Sequence, residues 1–116
     1  MGRVLQIRVS AFTYSEDDVR KAWPLLWRWA FEETKPGFPL GMKGVLELVR
    51  ALDDLYRFGD VPQTLREVLE KDLPRAVRGV ETLDHELADW NPRGANIAAD
   101  TIEDALDELE KHAPKP

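Results

Sequence analysis

The sequence predicts a mainly α-helical fold: a compact bundle of four to six helices, preceded by an N-terminal extended arm or single β-strand. Two observations carry this reading. From Ser15 onward, apolar residues recur at i, i+3, i+4 and i+7, the spacing that aligns them on one face of a helix. Only residues 3–12 alternate instead, with Leu5, Ile7, Val9 and Ala11 on one side and Gln6, Arg8 and Ser10 on the other. No later segment offers a second strand, so a lone strand leaves its amides and carbonyls unpaired. Pairing of the arm between two copies of the chain would satisfy them, which predicts a homodimer.

The helices follow in order. Ser15 is a good N-cap, with Asp18 at the capping-box position and three acids at the positive end of the helix dipole. That helix heads towards Glu33, but Pro24 either kinks it or ends it near Trp23 and starts another. "TKPGFPLG", residues 34–41, is the clearest loop. A second long helix spans about Met42 to Phe58 and stops at Gly59. Asp60, with Pro62 and Gln63, opens a third, which Pro74 breaks or bends. An amphipathic run from Arg75 to Trp90 puts Leu83, Leu87 and Trp90 on its apolar arc, and "NPRG" turns the chain. The last helix covers about Asn96 to Lys111, and residues 113–116 read as a flexible tail.

A chain of 116 residues is the size of one domain, and 43% hydrophobic content is enough for a core. The absence of cysteine excludes disulfides and thiolate metal sites, and with no signal-peptide core or membrane span the expected compartment is the cytoplasm. Charge is uneven. Residues 1–50 hold eight basic and six acidic side chains, whereas residues 51–116 hold eight and sixteen. Between 81 and 110 ten acids face Arg93 alone, a stretch that repels a phosphate backbone and argues against nucleic-acid binding. Its outer face, with Asp100, Glu103, Asp104 and Asp107, is expected to recognise a basic protein partner.

"AWPLLWRWAF", residues 22–31, holds three of the four tryptophans. On a helical wheel Trp23 and Trp27 share one arc with Val19, Leu26, Ala30 and Phe31. Trp29, with Ala22 and Leu25, projects to another side, so the apolar surface far exceeds the ~100° stripe of a surface helix. Something must cover Trp29, either another helix or another copy. The arm (Leu5, Ile7, Val9) together with Leu25 and Trp29 is therefore the expected self-association surface.

Two carboxylate patterns bear on chemistry. Glu81, His85 and Asp89 share one helix face at i, i+4, i+8, an acceptable but incomplete metal-ligand set, and a solvated face explains it as well. Glu67 and Glu70 ("EVLE") precede Glu81 and Asp84 ("ETLD"), and acid pairs on two antiparallel helices can cradle Mg²⁺ against phosphates. This arrangement resembles a degraded form of the motif of all-α nucleotide pyrophosphohydrolases of the MazG kind. The resemblance implies a divalent-metal-dependent enzyme with those four residues as ligands. It departs from the motif where Arg66 replaces the leading glutamate and Pro74 shortens the spacing. No nucleophile pattern or phosphate-binding glycine loop is present in the sequence. The primary expectation is thus a non-catalytic protein, without cofactor, that acts through protein–protein contacts and self-association.

Overall fold

The computed structural model describes residues 4–7, 11–13, 15–33 and 42–116. The arm is not one strand. Strand β1 (Leu5–Ile7) pairs antiparallel with β2 (Ala11–Thr13), with Leu5 opposite Thr13 and Ile7 opposite Ala11. The edge that called for a second copy thus finds its partner within the chain. Val9 lies outside the described residues.

Helix α1 (Glu16–Ala22) starts where the cap predicts, with Ser15 Oγ accepting from the Asp17 N–H at 3.2 Å. The chain breaks at Trp23, whose backbone leaves the helical region as the residue before a proline must. Pro24 then opens α2 (Pro24–Trp27), which a single π-helical turn extends over Arg28–Glu32. Helix α3 (Val45–Phe58) begins three residues later than its pattern suggests. Its first amides are taken by Thr13 Oγ, 2.8 Å from Val45 N, and by Glu47, whose carboxylate accepts from Gly44 N at 3.1 Å. The hairpin therefore caps the helix.

Helix α4 (Gln63–Ala88) runs unbroken through Pro74, so the two helices expected between Asp60 and Trp90 are one. Pro74 and Glu70 are both exposed, which leaves the carbonyl that proline cannot serve on the solvent side. Asp60 does not cap α4, whose N-cap is Pro62. Instead Arg66 reaches back to the carbonyls of Tyr56 and Gly59, at 3.0 and 3.1 Å, and closes the end of α3.

At the far end of α4, Asn91 N–H bonds to Glu86 O and Trp90 N–H to Leu87 O, a Schellman closure. Trp90 sits in its left-handed position (φ 56°), where glycine is usual, and is 72% exposed rather than part of the apolar arc. Asn91 then caps α5 (Pro92–His112) by accepting from Gly94 N–H at 3.1 Å. A bulky residue in this backbone region costs roughly 1–2 kcal/mol. Trp90→Gly is therefore expected to raise stability by about 1 kcal/mol, seen as a higher urea midpoint, and Trp90→Val to lower it.

Helices α4 and α5 form the antiparallel spine of the fold, and their contact is the most extensive among the described elements. Leu65, Leu69, Leu73, Ala76 and Leu83 of α4 meet an alanine-rich face of α5 that includes Ala98, Ala99, Ile102 and Ala105. Gly79 sets the spacing: a Cβ added there would meet Ile102 Cγ1 at 2.7 Å. Helix α3 packs on α4, and the hairpin and α2 pack on α5, giving the mainly-α bundle that the pattern predicts.

Candidate functional site

The acidic stripe of α5 is partly internal. Glu103, Asp107 and Glu110 recur at i, i+4, i+7 and so share one face. Glu103 is only 3% exposed, and its Oε2 accepts from the Val4 and Leu5 amides at 3.1 and 2.9 Å. Asp107 Oδ1 accepts from the Trp23 indole N–H at 2.8 Å. Glu110 caps α2, accepting from Leu25 N at 3.0 and 3.1 Å and from Leu26 N at 3.0 Å. Three carboxylates thus fix strand, tryptophan and helix start in turn. Only Asp100 and Asp104 of the expected recognition face stay exposed without such a role.

Burial drives the Glu110 carboxyl above its ordinary pKa, although the Leu26 and Leu25 amides pull the other way. A raised carboxyl binds its proton more readily when folded. Its contribution to stability is therefore greatest in acid and fades as pH rises through the raised value. Asp17 shifts oppositely, held low by Lys21 and then Arg20; its support is present at neutral pH and lost as pH falls through the lowered value.

Three of the five residues expected to form the self-association surface are inside the molecule. Leu5 and Ile7 are buried, because the hairpin folds against α5. Trp29 is 8% exposed, and its indole N–H donates to Pro114 O at 2.8 Å. The chain's own last residues, expected to be loose, make this contact, with Ala113 packed on the core. Leu25 is half-buried. Trp27 meets Phe31 edge-on with centroids 5.0 Å apart, and Lys43 lies over both rings.

The carboxylate cradle is not formed. Glu67, Glu70, Glu81 and Asp84 are exposed side chains of the single helix α4, and fourteen residues separate the two pairs, about 21 Å along its axis. The Mg²⁺-holding geometry of the alternative reading needs two facing helices, which these residues do not provide. Arg66, at the motif's first glutamate, is the residue that closes α3. On the second pattern, His85 Nε2 lies 3.3 Å from Asp89 Oδ2, both exposed, while His112 Nε2 lies 3.7 Å from Glu108 Oε2. Among the described residues no group of three His, Cys, Asp or Glu is placed to hold a metal ion.

The outer side of the spine carries a feature that apolar periodicity alone does not mark. A groove of about 370 Å³ runs between α4 and α5, with Arg75, Arg78, Thr82 and Glu86 on one wall and Ile97 and Thr101 on the other. Ile97 is 59% exposed and Phe58, at the end of α3, 81%. The sequence signal for this wall is the spacing i, i+3, i+7, i+11 of Arg75, Arg78, Thr82 and Glu86, whose charge changes sign along the helix. Among the described residues no helix is long and apolar enough to cross a membrane. Comparison with protein-family models, with curated proteins and with solved structures finds no match.

Proposed function

We propose that this chain is a small non-catalytic protein that acts through protein–protein contacts and self-association, with a dimer as its working form. The observation that carries the reading is the pair Trp90 and Ile97. Trp90 in the α4–α5 turn and Ile97 within α5 stand in solvent, while every other tryptophan is buried. Covering such side chains removes apolar area from water at roughly 25 cal/mol per Å², a gain available only through a partner. The cysteine-free sequence fits a reducing cytoplasm. A basic protein is the second expected partner, through Asp100 and Asp104 with the outward carboxylates of α4.

Sedimentation equilibrium from low to high micromolar concentration tests the reading. The expected result is a mass that rises to twice that of the chain. A mass of 13.3 kDa at every concentration contradicts self-association.

A further inference from the structure

We infer that the groove between α4 and α5 is the face on which a second copy of the chain docks. Helix α4 would lie antiparallel to its copy about a two-fold axis through Thr82. The inference rests on the self-association proposed above and adds its location and pairing.

The charge pattern of α4 carries it. Counted from Thr82, Arg78 stands four residues before and Glu86 four after, each about 6 Å along the axis. Arg75 stands seven before and Asp89 seven after, each about 10 Å away. Steps of four and seven return to the same face of a helix, so all five share one stripe. A two-fold rotation about Thr82 reverses the helix and sets each arginine opposite a carboxylate: Arg78 against the copy's Glu86, Arg75 against the copy's Asp89. Every pair occurs twice, as an isologous contact demands.

The charges are available for this. Arg75 and Arg78 are exposed and make no ion pair among the described residues, although Arg75 also borders a depression lined by Asp72, Asp104, Asp107 and Glu108. Glu86 likewise makes no ion pair there, and Asp89 meets only the exposed His85.

The centre of the stripe is apolar on its α5 side. Gly94 lies against Glu86 and Gly79 against Ile102, so Ile97 falls between those levels, close to Thr82. Its exposed side chain would meet its own copy near the axis, giving an apolar centre within a charged rim. A uniformly basic partner would meet Arg75 and Arg78 at one end of the groove. A second copy meets opposite charge at both ends.

A charge swap tests this on the full chain. Arg78→Glu alone and Glu86→Arg alone each set like charges together twice, and each is expected to weaken the dimer by roughly tenfold or more. Mixing the two variants restores opposite charges at both contacts, so a dimer holding one chain of each mass is expected by native mass spectrometry. Arg78→Lys keeps the charge and is expected to dimerise like wild type. Thermal melts verify that each variant is folded, and Ile97→Asp gives a further folded-state probe at the axis. A wild-type chain that stays monomeric overturns both the self-association and this face. A wild-type dimer that neither charge reversal weakens, or a mixture that fails to pair, overturns the face alone.

Discussion

Replacing Glu103 with alanine is expected to destabilise the fold by about 3 kcal/mol, a fall in Tm of roughly 12–15 °C for a domain of this size. The carboxylate is buried and accepts from the amides of Val4 and Leu5, at the start of β1. Alanine leaves both donors in an interior where Val4 and Leu5 exclude water, and each unsatisfied donor costs about 1–3 kcal/mol. Glutamine keeps one acceptor oxygen, so Glu103→Gln is expected to lose about 1 kcal/mol. Thermal unfolding of the two variants separates the lost acceptor from the lost charge. A Glu103→Ala protein within about 0.5 kcal/mol of wild type would mean that the carboxylate does not hold the strand.

Trp23→Ala is expected to cost about 4 kcal/mol, at the upper end of core truncations. Trp23 is fully buried at the break between α1 and α2, and its indole N–H reaches Asp107 across the bundle. Its loss opens a cavity and frees the hinge between the two helices. A domain with a typical 5–15 kcal/mol of stability is then near the edge of folding. Trp23→Phe keeps most of the volume and is expected to lose about 1–2 kcal/mol. Trp90→Ala, at an exposed site, changes the urea midpoint little or raises it. Equilibrium urea unfolding of the three variants checks the order.

The helices were legible where local rules decide. The Ser15 cap, the apolar run of α3 and the apolar face of α5 appear as read, because caps and a period of 3.6 act within one segment, whereas α5 starts at Pro92, four residues early, with the expected turn residues 92–94 in its first turn. Pro24 and Pro74 show the limit. Both are prolines within apolar periodicity, yet the first separates two helices and the second lies inside one. The difference is tertiary: at Pro74 the unserved carbonyl is on the solvent side, while at Pro24 the freed amides of Leu25 and Leu26 are taken by Glu110.

The candidate site was less legible, for a related reason. The spacing of Glu103, Asp107 and Glu110 is visible in the sequence, but a carboxylate facing water and one facing an amide look the same there. Which one forms depends on residues about a hundred positions away, as with Val4 and Glu103. Trp29 follows the same logic, since its cover is Pro114 rather than a second copy. Periodicity continued beyond Ala88 puts Trp90 on the apolar arc, but the helix ends there and the left-handed backbone of Trp90 turns its indole outward. With Leu5, Ile7 and Trp29 covered within the chain, the proposed partner face moves from the arm to the α4–α5 groove.

In this fold Glu103, Asp107 and Glu110 of α5 hold the start of β1, Trp23 and the start of α2 within their own chain. Amide hydrogen exchange at Leu5, Leu25 and Leu26, measured across the concentration range of any self-association, tests it most directly. Slow exchange is expected at all three amides, with protection unchanged on dilution to monomer. Protection that appears only as the chain associates would contradict it, because those amides would then be satisfied by a second copy.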